Sequence, residues 1–263
     1  MTEASLRLTL IQARDEQHLL EQELLCFVER MEVGADRIRA INVLTDAGAL
    51  TESRLDETDA LLIGGSGRYS AGNDYPWTDA LLAFVRSACN RATPTFGSCW
   101  GHQVIARALG GEVRYDPSRA ELGCFEVQLT PEGAQDPLFS KLPKSFHANM
   151  GHHDRVTRLP PGTIELAANP SQRFQAFRVE GLPVYGTQFH SELNAERERD
   201  RLLAYREAYR SDIPSEEAFQ SVLDSLAETT EADRLLRWFL EQCVFGNANG
   251  RPSGVETATS RDR

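Results

Sequence analysis

Apolar and polar positions follow two rhythms through the first hundred residues. The apolar runs RLTLIQA (7–13), IRAINVL (38–44), DALLIGGSG (59–67) and TPTFGSC (93–99) read as buried strands. Between them, residues 15–32 place Leu19, Leu20, Leu24, Phe27 and Val28 on one helical stripe over a charged background. PWTDALLAFVRSACNR (76–91) opens with a proline suited to a first helical turn, and GHQVIARALGG (101–111) ends on a Gly-Gly stop. The β-α-β-α order predicts an α/β fold: a three-layer open sheet, mostly parallel, with helices on both faces.

After Gly111 the texture changes. EVRYD, CFEVQLT, SFHANM, IELAAN and FQAFRV read as short strands joined by turns such as TPEG and LPPG, a small antiparallel extension that returns to the main sheet at PVYGTQFH (183–190). From 194 onward the pattern is helical. Phe219, Val222, Leu223 and Leu226 follow helical spacing, and Leu236, Phe239, Leu240 and Cys243 repeat it in a last helix with Thr230 as the expected N-cap. The expected organisation is a main domain over 1–212, a C-terminal helical extension over 213–245 packed on it, and a disordered tail over 246–263, which is poor in apolar residues.

Composition narrows the function classes. Across 263 residues, the 41% hydrophobic and 25% charged fractions are those of a globular protein with a sizeable core. A net charge of −11 without a long basic run argues against nucleic acid or an anionic membrane as partner. No basic-then-apolar leader opens the chain, and no apolar run approaches the roughly 20 residues of a membrane helix. The five cysteines (26, 89, 99, 124, 243) are odd in number and lack C-x-x-C pairing, which suits free thiols and a cytoplasmic location.

Gly97-Ser98-Cys99-Trp100-Gly101 stands at a strand-to-helix junction. A nucleophile elbow lifts one side chain above the sheet on a tight turn, and the positions two before and two after must be small. Both are glycine here. The free N–H groups of the following helix favour a thiolate. Two other readings of Cys99 stand beside this one. The first is a buried thiol without chemistry. The second is a zinc half-site with His102 that His152, His153 or His190 would complete, although no second pair has ligand spacing. His190 and Glu192 lie at the expected end of the strand 183–190, two residues apart and so on one side of it. Taken separately, each is an ordinary strand-end residue. With Cys99 they supply a nucleophile, a base and a group that fixes the base's tautomer. Gly64-Gly65-Ser66-Gly67 closes an apolar strand, and its backbone N–H groups can form an oxyanion hole with that of Trp100; otherwise it is a plain glycine turn. It lacks the Lys-Ser/Thr of a phosphate loop. His18 and His147 read as structural, and Cys26, Cys89, Cys124 and Cys243 as buried thiols.

In this order the three pieces resemble the class I (triad) glutamine amidotransferases. That family's elbow, G-x-C-x-G-x-Q, matches Gly97, Cys99, Gly101 and Gln103; its F-H-P-E segment matches Phe189, His190 and Glu192, with Ser191 in place of proline. GGSG, DYPW, Glu121-Leu122-Gly123 and Gly151-His152-His153-Asp154 are similar to the amidotransferase part of GMP synthetases and their free-standing relatives, with His153 where glycine is common. The resemblance covers about residues 7–210 and implies a flavodoxin-like sheet. It implies a catalytic set of Cys99, His190 and Glu192, and an oxyanion hole from the backbones of Gly65 and Trp100. It also implies a substrate pocket bordered by Gln103, Gly64, His152 and Asp154. The implied reaction is cleavage of a γ-glutamyl amide through a cysteine thioester, releasing ammonia, with no metal or cofactor.

Three functional readings follow. The chain is the glutaminase subunit of a two-protein synthetase, a free-standing γ-glutamyl peptidase or γ-glutamyl-amine hydrolase or transferase, or a catalytically silent binding module. The expected ligand is glutamine or another small γ-glutamyl compound. The expected partner is a synthetase subunit or a second copy of the chain, and the helices after 213 either cover the partner's surface or support the homodimer.

Overall fold

Strands in the first half are apolar on both faces, and the structure uses both. The computed structural model describes residues 3–210 and 213–246. In chain order the first elements are β1 (Leu8–Gln12), α1 (Gln17–Met31), β2 (Ile38–Asn42), the short helices α2 (Val43–Asp46) and α3 (Glu52–Asp56), and β3 (Ala60–Ile63). They are followed by α4 (Thr78–Asn90), β4 (Thr95–Ser98) and α5 (Trp100–Ala108). Then come β5 (Glu112–Tyr115), β6 (Glu121–Leu129), β7 (Ser145–His152), β8 (Asp154–Arg158), β9 (Thr163–Ala168), β10 (Ala176–Val179) and β11 (Val184–Thr187). Helices α6 (Ala195–Ala204), α7 (Glu216–Ser225) and α8 (Leu235–Phe239) follow, α8 continuing as a π-helical turn over Leu240–Phe245.

One sheet runs in the order β2-β1-β3-β4-β11-β10-β9-β6-β7. The five strands from β2 to β11 are parallel, and the remaining four add antiparallel beyond β11. This is the α/β, flavodoxin-like layering expected from the sequence, with the antiparallel extension continuing the same sheet. One strand was not expected: β8 pairs with β5 in a separate two-stranded ribbon, and its DRVTR stretch carries too many charges to read as a strand.

Alternate residues of each strand feed two cores. Leu8, Leu10, Ala60, Leu62 and Phe96 face α1 and α8 with Phe27, Met31, Leu236 and Phe239. Ile11, Leu61, Ile63 and Val184 face α4 and α5 with Leu81, Val85, Val104 and Ile105. Of the residues expected as a C-terminal extension, those from Ala232 to Val244 lie inside the first core, where the Phe239 ring meets Phe96 edge-on at 5.5 Å and Tyr185 at 6.3 Å, while Phe219 and Leu223 of α7 pack in a separate cluster with Leu19, Leu122 and Leu202.

Details differ from the sequence reading. Thr230 does not cap the last helix, which forms from a 3-10 turn at Ala232–Arg234; the neighbouring Thr229 hydroxyl donates to Asp233 at 2.9 Å instead. His18 and His147 are exposed, outside the core. Cys26, Cys89 and Cys243 are buried, while Cys124 is half-buried. The tail expected to be disordered, 246–263, lies outside the described residues except for Gly246. Among the described residues no helix is long and apolar enough to cross a membrane.

Phe239→Ala should lower the free energy of unfolding by about 3–5 kcal/mol, read from urea denaturation, because the ring is fully buried between strand and helix layers.

Candidate functional site

The site forms where β4 ends. Cys99 sits between β4 and α5 with φ 50° and ψ −101°, a conformation that costs an L-residue about 1–3 kcal/mol and is kept only where surroundings enforce it. Here they do. A Cβ at Gly97 would press on the Gly101 carbonyl, and one at Gly101 would collide with the Ile63 carbonyl oxygen. The turn is tied to both neighbouring strands: Cys99 N–H donates to Thr187 O at 2.7 Å and Gly101 N–H to Gly64 O at 3.0 Å. Cys99 opens onto a cleft of ≈ 390 Å³.

His190 and Glu192 reach the same place by a different route from the one expected. The strand stops at Thr187, and His190 is fixed by an isolated antiparallel bridge to Asn149, donating its N–H to Asn149 O at 3.0 Å. Its Nδ1–H donates to Glu192 Oε1 at 2.7 Å, and Ser98 Oγ donates to Glu192 Oε2 at 2.6 Å. Burial works against charge on both groups, and each partner favours the other's charged form. Burial opposes protonation of His190, but the nearby Glu192, Glu198 and Cys99 raise it well above the usual imidazole range. Burial likewise raises Glu192, but His190, Arg201 and Ser98 bring its carboxyl down to about 2.

The cleft wall is a chain of amides. Gln188 Nε2 donates to Cys99 Sγ at 3.7 Å, and Gln103 Nε2 donates to Gln188 Oε1 at 3.1 Å and to Asp154 O at 2.8 Å. His152 Nδ1–H donates to the same carbonyl at 3.1 Å, and its Nε2 lies 3.3 Å from Glu121 Oε2. Glu121 also collects Ser171, Gln172 and Gln175. Gln103, His152 and Asp154 all line the cleft, as expected. The backbone of Asp154 is thus committed to the amide chain, while its side chain stands nine-tenths buried at the wall. His153 stacks between Tyr115, 5.7 Å away, and Tyr209, 4.9 Å away, forming an aromatic outer wall.

Two expected residues are placed elsewhere. The Gly65 N–H donates to Glu23 Oε1 at 3.1 Å, so it is not free to hold an oxyanion, and neither Gly64 nor Gly65 lines the cleft. A Cβ at Gly64 would press on the Glu23 carboxylate, which would have to shift. The loop first meets the cleft at Ser66, and Trp100 lines it from α5. His102 faces away from Cys99, packed 4.8 Å from the Phe177 ring, and burial pushes its pKa down to about 3. Among the described residues no group of three or more His, Cys, Asp or Glu side chains could hold a metal ion.

The sequence reading also missed a buried charged layer beneath Cys99, His190 and Glu192. Glu23 accepts from Arg14 Nη2 at 2.8 Å and Gln12 Nε2 at 3.1 Å. Arg201, buried on α6, brings Nη1 to 3.7 Å from Glu23 Oε1, and Glu198 is buried on the same helix. The available signal was the i, i+3 spacing of Glu198 and Arg201 in register with Leu202 and Tyr205, hidden in the otherwise charged stretch AERERDRLLA.

The chain is 34% identical over 125 residues to a subunit of the glutamine-hydrolyzing GMP synthase of Thermococcus kodakarensis, covering 48% of this chain and 64% of that one. To the corresponding GMP synthase subunit of Pyrococcus abyssi it is 37% identical over 100 residues, covering 38% and 51%. For that of Sulfolobus acidocaldarius the figures are 34% over 139 residues, 53% and 70%. The match to the first two thus spans between half and two thirds of their length. A crystal structure of a glutamine amidotransferase from Thermotoga maritima superposes with a TM-score of 0.71 at 22% identity, covering 91% of this chain and 98% of that one, a likeness of fold. The family model described as glutamine amidotransferase class-I matches residues 34–206, most of the chain, and the chain belongs to that family.

Proposed function

We propose that the protein hydrolyses the γ-amide of glutamine at Cys99 and serves as the ammonia-producing subunit of a synthetase. The observation that carries this reading is the His190–Glu192 bond of 2.7 Å beside a cysteine held on a strained turn at the cleft. His190 takes the Cys99 proton, and the thiolate attacks the amide carbon. The oxyanion rests on the Trp100 N–H and on the Gly-rich loop from Ser66 onward. His190 returns the proton to the departing nitrogen, ammonia leaves, and water hydrolyses the thioester to glutamate and free thiol. The Asp154 carboxylate at the cleft wall supplies a counter-ion for the substrate's α-ammonium group. The synthetase assignment rests on the names of the GMP synthase relatives, each a subunit of its enzyme.

A second reading draws on the Tyr115–His153–Tyr209 wall: the cleft has room for a group attached to the scissile nitrogen, which favours a free-standing hydrolase of γ-glutamyl amines.

Ammonia or amine release from L-glutamine, γ-glutamyl amines and γ-glutamyl peptides separates these. Turnover of glutamine alone supports the ammonia donor; turnover of extended substrates supports the free hydrolase. Cys99→Ser should reduce either by at least about 10³-fold. If nothing turns over without a synthetase, a glutamine-like electrophile should still label Cys99, and an unlabelled Cys99 would sink the catalytic reading.

Glu192→Gln should cut kcat roughly 10²- to 10⁴-fold by loosening His190 from its tautomer. It should also lower the His190 pKa, because the principal group raising it is gone while burial remains. An NMR titration of the labelled imidazoles reads that shift. Asp154→Asn should raise KM for glutamine about tenfold or more with kcat less affected, measured by steady-state kinetics.

A further inference from the structure

Arg201 is 5% exposed, and its Nη1 and Nη2 have no hydrogen-bond partner among the described residues. Its Nη1 lies 3.5 Å from Glu192 Oε1 and 3.7 Å from Glu23 Oε1, while Nε donates to Gln22 Oε1 at 3.1 Å. A guanidinium buried without Nη hydrogen bonds is costly unless its charge is used. Both oxygens it faces already hold a part of the site. Glu192 Oε1 receives the His190 Nδ1–H, and Glu23 Oε1 receives the Gly65 N–H at the start of the Gly-rich loop. The groups converge on Gly65: a Cβ there would sit 3.1 Å from His190 Cε1, 3.2 Å from Arg14 Nη2 and 3.9 Å from Arg201 Nη1.

We infer that Arg201 is a positioning residue of the triad, a buried cation placed between Glu192 and Glu23 that offsets part of the charge of both. It thereby keeps the carboxylate that orients His190 and the carboxylate that anchors the Gly-rich loop in a single arrangement. This rests on the triad reading above.

The charges around His190 fix the sign of its effect. Glu192 faces it from its own segment, Glu198 and Arg201 from α6, Cys99 from the elbow, Arg14 from the end of β1 and Glu23 from α1, with Tyr209 near Glu198 and Cys99. Arg201 is one of two cations set against three carboxylates. Removing it leaves the carboxylates less compensated, so the imidazolium is favoured and His190 holds its proton to higher pH. Arg201 thus keeps the base able to release and regain a proton.

The test compares Arg201→Gln and Arg201→Lys with wild type in the full chain, by imidazole NMR titration and steady-state kinetics. The His190 resonance is assigned from His190→Gln. Arg201→Gln should shift the His190 titration upward and lower kcat by about 10- to 100-fold, with KM changed much less. Arg201→Lys should recover most of kcat and return the titration towards that of wild type. A His190 titration unmoved in Arg201→Gln overturns the inference. So does Arg201→Lys behaving like Arg201→Gln, because shape and not charge would then be at work. If Arg201→Gln fails to fold, Arg201→Lys alone decides: a displaced His190 titration overturns the inference, an undisplaced one with near wild-type kcat upholds it. Failure of the triad reading shows differently, as a wild-type His190 that titrates like a free imidazole and does not respond to Glu192→Gln.

Discussion

Cys99 can hold a left-handed backbone only because Gly97 and Gly101 close over one another and the first turn of α5 hangs from the carbonyl of Gly64. That contact joins β3, β4 and β11 at their carboxyl ends, the side of an open parallel sheet where ligands gather. The glycines at 97 and 101 are therefore one steric condition, and the Gly64 carbonyl adds the backbone bond that holds the helix in place.

Beneath this geometry lies an electrostatic condition. The Glu192 carboxylate is fully buried, as is Glu23, so bulk water screens neither. Two arginines enter from opposite ends of the chain, Arg14 after β1 and Arg201 from α6. Their work is shared: Arg14 makes the short hydrogen-bonded pair, whereas Arg201 stands between two carboxylates at ion-pair range without a hydrogen bond to either. A site built this way tolerates ionised groups in a dry interior because opposite charges balance locally.

The parallel half of the sheet was legible because its inner strands β1, β3, β4 and β11 are buried on both faces and read as apolar runs. The elbow was legible because sterics restrict its flanking positions to glycine. What escaped the sequence is physical as well. Helix α6 reads as a solvated charged helix, since period and composition do not reveal that Arg201, on its inner face, meets Gln22 across 179 residues. The role expected of Gly65 failed for the same reason: its N–H is claimed by Glu23, a contact across 42 residues. His190 and Glu192 were found although the strand expected to carry them ends at Thr187, because their spacing survives the change in backbone.

The Phe239 ring lies on Phe96 and Tyr185, so a segment close to residue 240 completes the packing of strands that begin at residue 8. Such packing has a high contact order, and during synthesis the apolar face of the central strands must wait for it. Until residues 235–244 have left the ribosome that face stays open, a surface for chaperones to shield. Maturation of the cysteine site is thereby coupled to the emergence of residues 235–244.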